Sequence, residues 1–168
     1  MRIPFTQFPG VAGLCIIVYA LIALPISAGA PYFFAGTFLM TCTAVLERHA
    51  FFITLQMVVL TGTILGMLSD VESWVLTILL METIGALWWS LRNDYLKNKR
   101  DILGFISLCV LAFAYGFGSE VGFLLGGLLI VGYSYLDARA GNSMAVLWMV
   151  LNFCFAVAAA VAVFGSMF

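Results

Sequence analysis

The sequence predicts an all-α polytopic membrane protein of seven transmembrane helices arranged as three plus one plus three, and three observations carry that prediction. The first is composition: of 168 residues, 64% are hydrophobic and 9% charged, against about 25% charged in a soluble domain. The second is spacing, because the apolar runs are about twenty residues long, enough at 1.5 Å per residue to cross a bilayer core of roughly 30 Å. The third is charge layout. With seven spans drawn, Arg2, Arg48, Arg92, Lys97, Lys99, Arg100 and Arg139 all share one side, and these are all the Lys and Arg residues of the chain. A random distribution would achieve this about once in sixty-four trials, so the positive-inside rule supports seven spans with the amino terminus cytoplasmic and the carboxyl terminus outside.

In order, the apolar spans cover about 11 to 28, 31 to 46, 50 to 69, 73 to 91, 101 to 117, 120 to 137 and 143 to 165. The first could be taken for a signal peptide ending at Ala28-Gly29-Ala30. Its run from Val11 to Ala28 is longer than the usual apolar core and Pro31 would follow the cut, so it reads as a mature helix. The breaks are expected at Gly29-Ala30-Pro31, Glu47-Arg48-His49, Asp70-Val71-Glu72, the basic loop after Arg92, Gly118-Ser119-Glu120, and Asp137 to Asn142. Most carry the glycine, proline or polar residues that end helices.

The fourth span, Ser73 to Leu91, holds Glu82 near its middle and ends in Trp88 and Trp89, placed like an interfacial aromatic belt ahead of the basic loop. Laid on itself with a shift of 91 residues, the chain puts Gly13 on Gly104, Gly36 on Gly127, Arg48 on Arg139 and Val59-Leu60 on Val150-Leu151. That shift divides it into a first three-helix repeat over 1–70, a linker helix with a basic cytoplasmic loop over 71–100, and a second repeat over 101–168. An odd helix between two triplets restores their orientation, so the repeats would be parallel.

A three-plus-one-plus-three layout with parallel repeats resembles the SWEET sugar transporters and the PnuC vitamin transporters, related to the PQ-loop proteins. The resemblance is one of topology. The Pro-Gln dipeptide of the PQ-loop proteins is absent, and of the SWEET prolines Pro25 has a place, matched in the second half by Gly116. The resemblance implies transport or facilitated passage of a small polar metabolite between the halves. It also implies that polar residues on the third helix of each repeat, here Thr61 and Asn152, face the path.

Several residues are candidates for contacting a substrate: Asn152, Thr61, Gln56, Glu82, Trp148 and Tyr133. An ionised carboxylate at the depth of Glu82 must be paired, hydrated or neutralised. It is either a proton-coupling or cation-binding group on a path, or a lock between helices through Gln56, Thr54 or Thr61. Thr61 and Asn152 are either a matched pair at the pseudo-axis or ordinary interhelical hydrogen-bonding residues. Gln56, about one and a half turns before Thr61, is expected on the same face. Tyr133, Tyr135 and Trp148 could form an aromatic wall, although Tyr135 suits an interface anchor and Trp148 suits either role.

The remaining features have plain readings. His49 reads as a solvated cap, and Glu47 with Arg48 and Asp137 with Arg139 as exposed ion pairs of little energetic weight. Cys15, Cys42, Cys109 and Cys154 lack metal-site spacing and read as small hydrophobes. The GxxxG spacings Gly62/Gly66 and Gly122/Gly126 allow close packing within the bundle or between two copies. No nucleophile–base pair, phosphate loop or repeated intramembrane acid appears, so no enzyme activity and no cofactor is expected, and nothing resembles a nucleic-acid surface. The expected partners are the lipid bilayer and a small-molecule substrate. The competing class is a non-transporting membrane subunit or scaffold, which would have a filled centre. A cavity containing Asn152 and open to one side would separate the two.

Overall fold

The computed structural model describes residues 4–68 and 71–165, with the backbone alone at 26 and 27. Among the described residues the regular structure is all helical, with seven helices long and apolar enough to cross a membrane, as an integral membrane protein requires. They are α1 Phe8–Ala23, α2 Ile26–Leu46, α3 Ala50–Leu68, α4 Glu72–Arg92, α5 Lys99–Phe117, α6 Glu120–Arg139 and α7 Ala145–Gly165. A 3-10 turn at Phe5–Gln7 leads into α1.

Local chemistry explains the boundaries. Pro9 sits in the first turn of α1, where its missing N–H would have had no partner. α1 stops at Leu24, which is extended at φ −130°, because a residue before proline is pushed out of the helical region. The break between the first two helices therefore falls at Leu24-Pro25 and not at the expected Gly29-Ala30-Pro31. Pro31 is instead carried inside α2. Ser119 caps α6 by accepting a hydrogen bond from the Gly122 N–H at 3.1 Å, and Gly118 ends α5 with a left-handed φ of 59°. Asp70 and Arg2 lie outside the described residues.

Six helices close a ring: α1 packs on α2, α2 on α3, α3 on α5, α5 on α6, α6 on α7, and α7 back on α1. α4 lies against α3 and α5 and is the least buried of the seven. Small residues bring the backbones together. A Cβ on Gly13 would meet the Gly36 carbonyl oxygen at 2.4 Å, and one on Gly62 would meet the Ala112 carbonyl oxygen at 2.3 Å. Gly66 meets the Tyr115 carbonyl in the same way, while Gly122 and Gly126 abut Ala114 and Leu111. Both GxxxG spacings thus serve packing onto α5, inside the bundle.

Candidate functional site

At the end of the bundle where α2 finishes and α3, α5 and α7 begin, the ring encloses a cavity of about 350 Å³. Exposed Glu47, His49 and Asn142 form its rim, and buried Gln56, Ser134 and Asn152 lie on its floor. Phe51 and Phe52 of α3, Tyr133 of α6 and Trp148 of α7 supply aromatic walls. Four of the six candidate residues, Gln56, Asn152, Trp148 and Tyr133, therefore share one space.

Each wall residue is held in place. The Trp148 indole N–H donates to the Gln7 side-chain oxygen at 3.1 Å, and its ring packs over Gly10. This assigns Trp148 to the cavity wall. Tyr133 lies over Gly104 and meets the Phe52 ring edge-to-face at 5.7 Å. The Asn152 amide donates to the Ser134 hydroxyl at 3.2 Å, which in turn donates to the Ile130 carbonyl at 2.9 Å. Tyr135 is exposed beneath the Arg139 guanidinium at 5.9 Å, as suits an interface anchor.

Near the mouth, Arg100 bridges Asp137 at 2.9 Å and Asp101 at 3.2 Å. Asn142 donates to Asp137 at 2.7 Å, and Thr6 donates to Glu47. The expected Asp137–Arg139 pair is replaced by Asp137–Arg100, because Asp137 faces the ring interior while Arg139 faces outward over Tyr135. Three carboxylates and one guanidinium thus line a cavity at the end of the bundle richest in Lys and Arg.

Below the floor the centre narrows to a void of about 20 Å³, room for one water at most. Its lining follows a pattern. Leu14 and Ile17 of α1 face Leu108 and Leu111 of α5, each pair offset by 94 residues; Thr37 of α2 and Ile130 of α6 are offset by 93; Gln56 and Val59 of α3 and Asn152 and Phe155 of α7 are offset by 96. The expected uniform shift of 91 thus gives way to a register that slips from helix to helix. One visible cause is that residues 140–144 connect α6 to α7, whereas only 47–49 connect α2 to α3. Of the third-helix residues, Gln56 lines this void with Asn152, whereas Thr61 does not.

Beyond the narrowing, buried Phe33, Tyr115 and Phe123 close the axis, with ring centroids at 5.5, 5.5 and 4.8 Å. A second cavity of about 530 Å³ opens past them at the other end, lined by residues such as Pro31, Gly66, Glu72 and Gly118.

Thr61 and Glu82 line neither space. The Thr61 hydroxyl donates to the Glu82 carboxylate at 3.1 Å across the α3–α4 seam, one of the alternatives the sequence left open. Gln56 and Thr61 cannot share a face, because five residues at 100° each leave them about 140° apart on the helix. Sequence reading passed over Gln7, Thr43, Ser134, Arg100 and Asp101. The three-residue spacing of Ser134 and Asp137, which puts both on one helix face, was an available signal; Gln7 gave none. Comparison with protein-family models, curated proteins and solved structures returned no match.

Proposed function

We propose that this integral membrane protein is a transporter or facilitator of a small polar metabolite, which passes along the axis between two three-helix halves, α1–α3 and α5–α7. The observation that carries the reading is the cavity with Asn152 and Gln56 on its floor and a route to the surface past Glu47 and Asn142. A scaffold is expected to have a filled centre, whereas here a space of about 350 Å³ bordered by polar side chains lies at one end of the ring. The repeated offsets of 94 between α1 and α5 and of 96 between α3 and α7 support reading the halves as repeats, with α4 as the odd helix that restores their direction.

The two cavities on one axis, separated by the Phe33–Tyr115–Phe123 cluster, suit alternating access. This conformation is open at the Asn152 end and shut by the aromatic cluster, and rocking of one half against the other would exchange the two. Asn152→Ala should lower solute uptake into proteoliposomes about tenfold, equivalent to about 1.4 kcal/mol, while the purified protein melts within a few degrees of the parent. Unchanged uptake in a folded Asn152→Ala protein would defeat the central site.

A further inference from the structure

We propose that the ring opens like a clasp: α3, α4 and α5 form a spine that stays packed, and the two halves part along the α1–α7 seam, where the hydrogen bond between Trp148 and Gln7 is the latch. As a statement about which seam moves, this stands on the packing alone; as a step in moving a solute it rests on the transport reading above.

The halves meet along two seams, α3 against α5 and α7 against α1, and the two are built differently. Across the first, backbone lies on backbone. The Gly62–Ala112 contact is followed one turn later by Gly66, whose Cβ position is 2.4 Å from the Tyr115 carbonyl oxygen. At Gly116 three helices converge: Leu79 and Val75 of α4 come within 2.8 and 3.0 Å of its Cβ position, and the Gly62 carbonyl oxygen of α3 within 3.7 Å. Both α4 side chains are buried there. At the end where α3 begins, Tyr95 in the connection after α4 packs on Trp89 of α4 and Phe51 of α3, with ring centroids at 5.0 and 5.8 Å. Parting this seam is costly, because a glycine contact has no side chain that could swing across a gap. With α4 laid over the outside, lipid cannot fill what opens, and an empty seam forfeits its dispersion contacts.

The α1–α7 seam is the slighter of the two, and among the described helices no third one packs on both of its members. Tyr19 and Ile22 of α1 and Phe153 and Val157 of α7 are exposed to the surroundings of the bundle, so lipid can follow these helices as they separate. Here the contact is made by a side chain. The Trp148 ring reaches over Gly10, 2.7 Å from its Cβ position, and the indole N–H donates to the Gln7 side-chain oxygen at 3.1 Å. A ring can turn about its own side-chain bonds, and a single interhelical hydrogen bond is light enough to break and re-form. Parting at this seam would carry Phe33 of α2 away from Tyr115 of α5, whose rings now stand 5.5 Å apart and close the axis toward the second cavity. The spine would keep Tyr115 in place while its partner leaves.

The test measures both seams by spin-label distances on the full chain in phosphatidylcholine nanodiscs. Cys15 of α1 and Cys154 of α7 are free and exposed, and serve as the first label pair once Cys42 and Cys109 are replaced by alanine. Met57→Cys of α3 and Ile106→Cys of α5, both exposed positions at a similar depth, serve as the second in a chain with all four native cysteines replaced. Removing the latch by Gln7→Leu should lengthen or broaden the Cys15–Cys154 distance by about 2 Å or more and leave the α3–α5 pair as it was. An unchanged α1–α7 distance in the folded variant, or an α3–α5 distance that moves as far, overturns the proposal. If Gln7→Leu does not fold, Trp148→Phe decides, since it keeps a ring over Gly10 and removes the N–H, and the same two outcomes are fatal there. No solute enters the measurement, which separates it from the transport reading. Opening confined to the α1–α7 seam in a protein that carries no solute in proteoliposomes supports the clasp and defeats transport; uptake by a protein whose two seams widen alike does the reverse.

Discussion

Two stretches of one helix, barely a turn and a half apart, have opposite fates. Gln56 of α3 faces the bundle axis and ends with an acceptor that nothing in the protein satisfies, whereas Thr61 faces outward and is satisfied by Glu82 of α4. The seam holds a polar pair where hydrocarbon would otherwise penalise each group, so it serves attachment of the spacer helix. At the cavity end Gln56 Oε1 and Thr43 Oγ1 have no protein partner, and at the seam one oxygen of Glu82, Oε2, has none either.

The largest test of that contrast concerns the backbone beside Thr61. Gly62→Leu should drive α3 off the Ala112 carbonyl, costing about 1–3 kcal/mol or more and affecting seam and cavity together. Loss of monodisperse folded protein, read by size-exclusion chromatography, is the expected outcome; a normal yield would mean that α3 and α5 can separate cheaply.

On the cavity side, Gly10→Val should be milder and more selective. Its new side chain would meet the Trp148 ring, 2.7 Å from the Cβ position, and the Thr43 hydroxyl at 2.8 Å. The indole would be forced into the open space, and uptake should fall about tenfold with a smaller loss of stability. Tryptophan fluorescence would report the displacement, and full uptake with a shifted indole would remove Trp148 from the wall that a substrate touches.

The seam should yield the smallest effect. A double-mutant cycle of Thr61→Val and Glu82→Ala should give a coupling of about 0.6 kcal/mol, the average for interhelical hydrogen bonds in membranes, with ligand affinity at the cavity unchanged. A loss of uptake in Glu82→Ala that exceeds its loss of stability would return Glu82 to the transport path.

Much of the fold was legible because a bilayer imposes length and apolarity on every crossing, and the connections after α2, α4, α5 and α6 lie where polar residues and glycine suggested. The first break was misplaced since two prolines competed for it. Pro25 ended α1 through its effect on Leu24, while Pro31 is carried in the second turn of α2, where it removes one intrahelical hydrogen bond without ending the helix. Of the site, Asn152, Gln56, Trp148 and Tyr133 could be nominated as polar or amphipathic residues at membrane depth. Glu82, the loudest signal in the sequence, lines neither of the two cavities on the axis.

What the sequence determined alone was the number of helices and the gathering of basic residues on one side, both consequences of transfer free energies that depend on residue type and little on neighbours. Only the tertiary structure decided which faces meet. Face assignment turns on helix register at 100° per residue, which puts Gln56 in the central void beside Asn152 and Thr61 on the α4 seam. Whether a buried oxygen finds a donor is likewise a property of the packed ring, since the donors that satisfy or neglect it come from other helices.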